Sequence, residues 1–126
     1  PSRGWVRAIR RSLGMSLHQL GAKVGITKQS VGELERREQE GSITLNTLRE
    51  AAHALDMELV YAVVPRDGSL DALIERKARE MAMRIVSRTS KQMQLEDQEI
   101  SPSRLQKAIE ERTAILKSEM PKALWD

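Results

Sequence analysis

No cysteine occurs in the 126 residues. That excludes a disulfide framework and a thiolate metal site, and it fits a reducing cytoplasm. Phenylalanine is also absent, and Trp5, Tyr61 and Trp125 are the whole aromatic complement. A core must therefore come from Leu, Ile, Val, Met and Ala. There is no apolar run long enough to span a bilayer and no secretory signal, so a soluble cytoplasmic chain with no membrane role is expected. Two histidines, His18 and His53, fall on separate predicted helices, with no carboxylate at ligand spacing. No metal site is expected from them. A glycine-rich phosphate loop and a serine nucleophile elbow are missing too, so no catalytic residues and no cofactor are assigned. The acidic pairs Asp67/Asp71 and Glu96/Asp97 read as helix caps and solvated loop.

What is present is unevenly charged. Residues 1–37 hold eight Arg and Lys against two Glu, an excess of six; the whole chain is +3, so the remainder carries −3. A basic first third suits a polyanionic partner. Trp5, Val6, Ile9 and Leu13 recur at helical spacing, with Gly14 as the stop. Ser16 and Gln19 form a capping box for a second helix, with Leu17, Leu20 and Val24 inward and Gly25 at its end. Ile26 then plugs the turn. Thr27 caps a third helix whose buried positions are Val31 and Leu34. Gly21, one turn before Gly25, lets that helix approach closely. Lys28, Gln29, Ser30 and Glu33 are left facing outward near its start, the layout of a helix that enters a major groove with its first turns.

The stretch "LHQLGAKVGITKQSVGELERRE" resembles the helix-turn-helix of the Cro and phage-repressor (Xre) family, over about residues 3–56. "GSITLNTLREAAHALDMELVYAVVP" continues it as a later helix, with Leu45, Leu48, Ala52 and Leu55 on one face. The resemblance implies a double-stranded DNA partner. It puts Lys28, Gln29 and Glu33 at base-contacting positions and Arg10, Ser16, Lys23, Thr27 and Arg37 at phosphates. Gly21, where the family keeps alanine, and Gly32, inside the recognition helix, are departures.

Beyond it, residues 57–64, "MELVYAVV", are β-branched and bounded by Pro65, Asp67 and Gly68, which predicts a strand. A lone strand leaves its backbone unpaired. Pairing with the same strand of a second copy is expected, giving a homodimer held by Leu59, Val60, Tyr61 and Val63 on a palindromic operator. Ser69 caps a long helix with Leu70, Leu73, Ile74, Ala78, Met81, Ile85 and Met93 as its stripe, about 40 Å if unbroken to Leu95. Ser101 and Pro102 open another, with Leu105, Ile109 and Leu116. Two such narrow stripes are not expected to make a core of their own, so Leu73, Ile74, Met81, Ile85 and Trp125 are assigned to a protein partner. The expected class is mainly α: a Cro-like helix-turn-helix bundle (1–56), a strand and turn as dimer contact (57–68), and two further helices for partner binding (69–126).

"GWVRAIRRSLGMSLHQLG", "EGSITLNTLREAA", "ELVYAVVPRDGSL", "LEDQ" and the closing "ALWD" together resemble the mobile mystery protein A family. Members are encoded beside a Fic-domain protein, mobile mystery protein B. The resemblance implies an antitoxin-like protein that binds the Fic protein, restrains its nucleotidyl (AMP) transfer and represses the shared operon. The usual inhibitory motif, Ser/Thr-x-x-x-Glu-Gly/Asn, is absent, because no serine or threonine has glutamate four places on. The alternative is a stand-alone Xre-type repressor whose last helices serve only dimerisation.

Overall fold

The computed structural model describes residues 1–96 and 100–126; Asp97 and Gln98 of the "LEDQ" motif, and the acidic pair's Asp97, lie outside these. Six α-helices follow in order: α1 Trp5–Ser12, α2 Leu17–Val24, α3 Lys28–Glu40, α4 Leu45–Ala54, α5 Leu70–Leu95 and α6 Pro102–Glu119, then a 3₁₀ turn, Lys122–Trp125. Two compact units divide the chain, Pro1–Ala62 and Val63–Asp126.

In the first unit the helix starts are chemically marked. Ser16 accepts from the Gln19 amide at 3.0 Å, while the Gln19 side chain accepts from the Ser16 amide at 2.8 Å. Thr27 accepts from the Ser30 amide at 3.1 Å, and Thr44 does the same for Thr47 at 3.1 Å. Between α2 and α3, Gly25 takes the left-handed conformation at φ 89°, and the amides of Gly25 and Ile26 both bond to the Gly21 carbonyl at 2.8 Å. A Cβ on Gly21 would stand 2.6 Å from the Ile26 carbonyl oxygen. The expected close approach at Gly21 is therefore a backbone contact, and the glycine is sterically required there.

Val6, Leu20, Val31, Leu34, Ala51 and Leu55 form the core, flanked by half-buried Ile9, Leu17 and Leu48. Three expected core positions differ. Trp5 and Leu13 are exposed, because an eight-residue helix buries only one narrow edge, here Val6 and Ile9. Ile26 also stays exposed and does not plug the turn; hydrogen bonds to Gly21 hold that angle. On α4, Ala51 is the fully buried alanine and Ala52 is only half-buried.

The expected strand is absent: no described residue is in a strand, and residues 57–64 have no regular structure. A β-branched segment with no second strand in its own chain has nothing to complete a ladder. Val60, Tyr61, Val63 and Val64 stand exposed, Val63 at 95 %.

The second unit is a helical hairpin. Ser69 caps α5 through the Ala72 amide at 3.0 Å, and Ser101 caps α6 through the Arg104 amide at 3.3 Å, with Pro102 at the first turn. Lys117, near the end of α6, bonds Glu75, near the start of α5, at 2.8 Å, so the helices run antiparallel. Contrary to expectation, these helices do make their own core. Ala78, Ala82, Leu116 and Leu124 are buried, with Met81, Ile85 and Ile109 packed against them. Ala78 and Ala82 leave no bulk on α5, which allows a close helix crossing and a core with few large side chains. Thr113 is buried with them and satisfies its hydroxyl on the Ile109 carbonyl at 2.7 Å.

Candidate DNA-binding interface

The third helix is aimed from its first residue. Its cap, Thr27, and the next three residues, Lys28, Gln29 and Ser30, are all exposed, whereas Val31 and Leu34 anchor the opposite side in the core. Among the described residues, the side chains of Lys28 and Gln29 form no hydrogen bond or ion pair. Both remain free to meet a ligand. Ser30 is less free, because its oxygen accepts from the Thr27 hydroxyl at 3.0 Å.

Glu33 sits one turn further on and is clamped. Arg36 grips its carboxylate through two hydrogen bonds, and Arg37 lies 3.8 Å away. The Arg36 bond, followed by the charges of Arg36 and Arg37, holds the Glu33 carboxyl below its ordinary range, so it is ionised at neutral pH. Arg36 also bonds Glu40 at 2.7 Å, and these two carboxylates raise its own already high pKa. Glu33 can accept from a base amino group only through the lone pairs Arg36 leaves over. Arg37 and Lys23 are exposed, as is Ser16, whose oxygen serves the α2 cap.

Arg10 does not share that exposed surface. Its Nε and Nη2 donate to Glu35 at 2.7 and 3.1 Å, and Nη1 donates to the Met15 carbonyl at 2.9 Å. The two side chains are only 11 % and 8 % exposed. Arg10 thus ties α1 to α3 and to the turn before α2, an internal role that the resemblance, which implies a phosphate contact, does not include. Nothing local in the sequence pairs residues 25 positions apart. Glu38 was missed for the same reason: its carboxylate reaches back to cap α1, accepting from the amides of Trp5 and Val6 at 2.9 Å each. The available signal was the lack of any acidic residue or side-chain cap at the start of α1.

The expected dimer residues separate. Leu59 is half-buried and lines, with Trp5, Ile9, Leu48, Leu55 and Met57, an apolar depression of about 380 Å³; Val60 and Tyr61 are exposed, as is Val63. Of the expected partner residues, Met81 and Ile85 are half-buried against the hairpin core. Leu73 and Ile74 are half-buried, and Trp125 is half-exposed beside the buried Leu124. His18 and His53 are exposed, and no helix among the described residues is long and apolar enough to cross a membrane.

This geometry coincides with a family match. Residues 6–61 match the Helix-turn-helix family. They form an Xre-type helix-turn-helix domain, which supports a DNA-binding regulator. No curated protein and no solved structure matches the chain.

Proposed function

We propose that the protein is a cytoplasmic, non-catalytic, antitoxin-like repressor. It reads an operator with α3, represses the operon it shares with a Fic-domain protein, and restrains that protein's AMP transfer. The observation that carries the DNA-reading part is the outward display of Lys28 and Gln29 on a helix capped by Thr27, inside the matched domain. Arg37, Lys23 and the α2 start at Ser16 supply phosphate contacts, and base contacts come from Lys28, Gln29 and Glu33. Residues 57–64 pair with those of a second copy, so the operator is palindromic. The Fic-directed part is supported by the sequence resemblance along both units, with Leu73, Ile74 and Trp125 as its surface.

A second reading is favoured by the hairpin itself. Because α6 already covers much of the α5 stripe, no partner is needed to bury it, and a stand-alone repressor accounts for the same fold. Two measurements test the proposal. Gln29→Ala should cost roughly 1–3 kcal/mol on the cognate operator and much less on random duplex; equal weakening on both removes α3 as the reader. The full chain should co-purify with the neighbouring Fic protein and lower AMP incorporation into its targets. A chain that neither co-purifies with the Fic protein nor lowers that incorporation leaves the stand-alone repressor.

A further inference from the structure

Gly32 sits in the interior of α3, where glycine is the poorest helix former after proline, and the protein itself has no use for it. A Cβ built there would meet nothing within 4 Å. The contrast with Gly21, whose Cβ would strike backbone, and with Gly25 and Gly41, which need a positive φ, is complete. At 100° per residue, Gly32 shares the outward stripe of Gln29 and Arg36, facing away from Val31 and Leu34. It forms part of the wall of a surface depression of about 300 Å³ shared by Arg3, Arg7, Leu17, Arg36 and the Arg10–Glu35 pair. Four arginines line this hollow, and two of them carry the positive charge that no carboxylate offsets. Arg10 and Arg36 are paired internally, whereas Arg3 and Arg7 form no ion pair among the described residues.

We infer that this hollow seats a phosphodiester of the DNA backbone, that Arg7 and Arg3 hold the phosphate, and that Gly32 is a glycine so that the strand can pass close to α3. The inference rests on the DNA-binding reading above and adds a site to it. A backbone strand, rather than a base edge, fits a hollow rimmed by unmatched guanidinium groups, since phosphate is what such groups neutralise.

The test uses the full chain and a mixed-sequence DNA duplex, because a phosphate contact does not depend on sequence. Gly32→Ala should raise the thermal midpoint, having gained a better helix former at no steric cost, and yet weaken binding to the duplex by roughly tenfold. Arg7→Gln should weaken binding as well and reduce the slope of log K against log salt by about 1. The inference is overturned if Gly32→Ala binds as the wild type does, or if it lowers the midpoint. A loss confined to a selected operator, with mixed-sequence binding intact, would overturn the backbone assignment in favour of a base contact. Wild-type chain that fails to bind duplex DNA at all would overturn the underlying DNA-binding reading and this site with it.

Discussion

Replacing Arg10 by methionine separates the two roles that sequence and structure give it. Methionine keeps much of the aliphatic length, but it removes all three hydrogen bonds, two to Glu35 and one to the Met15 carbonyl. The Glu35 carboxylate, at 8 % exposure, then loses the hydrogen-bonded partner that offsets its burial. Breaking a buried pair in this way costs about 3–5 kcal/mol. The first unit spans Pro1–Ala62, and a domain of that size commands only roughly 3–9 kcal/mol in total. One substitution therefore removes a third of its stability at the least, and all of it at the most. At about 4–8 °C per kcal/mol, the midpoint of this unit should fall by at least roughly 12 °C. Thermal unfolding followed by circular dichroism, with amide exchange to assign the transition to α1–α4, reads this directly. The double variant Arg10→Met with Glu35→Leu should recover most of the loss, because an apolar pair of similar volume is close to neutral. If the single variant melts within a few degrees of wild type while DNA binding loses salt dependence, Arg10 is a phosphate ligand and its internal role is secondary.

Two further outcomes are expected. Lys117, by its hydrogen bond and charge, and then Arg79, hold the Glu75 carboxyl below its ordinary range; a depressed folded pKa stabilises fully above the unfolded value, about 4.3, and that contribution is lost as pH falls from there through the lower folded value. The midpoint of the hairpin should thus drop more steeply below about pH 4 in wild type than in Glu75→Gln, and superimposable pH profiles would remove the pair from the account. Gly21→Ala should destabilise the first unit by about 1–3 kcal/mol despite a better helix former, because the new Cβ stands 2.6 Å from backbone oxygen; a rise in midpoint in urea or heat would show that the α2–α3 turn yields freely.

The sequence was most legible where structure is made locally. Ser16, Thr27, Ser69 and Ser101 each mark a helix start because the amide they cap lies three residues away, so one short window contains the whole interaction. The outward display of Lys28 and Gln29 follows from the same window, since Val31 and Leu34 fix the opposite side. What escaped is non-local or small. The Arg10–Glu35 pair and the Glu38 cap join residues 25 to 33 positions apart, and neither partner's neighbours advertise the other. The hairpin core escaped because the two stripes, which include Ala78 and Leu116, pack on each other, and because Ala82 and the distant Leu124 that complete it lie outside both stripes. Residues 57–64 misled in the opposite direction: their β-branched composition describes a preference for pairing, and one chain offers no edge to satisfy it.

The cap that Glu38 places on α1 also bears on the order in which the first unit assembles. An eight-residue helix is well below the length at which a helix persists alone in water, about 12–15 residues, and α1 brings no cap of its own. Its first amides are satisfied only by a carboxylate synthesised 32 and 33 residues later. The first helix of this unit to be synthesised is accordingly among the last of the unit to settle. By contrast, α2 and α3 carry their caps within their own opening turns and can close the turn at Gly25 before α1 joins them. Pulse-labelled hydrogen exchange during refolding should show amides of α2 and α3 protected ahead of those of Trp5 and Val6. The helix proposed to read DNA would then belong to the earliest structure of the domain, and the first helix would lock it in place.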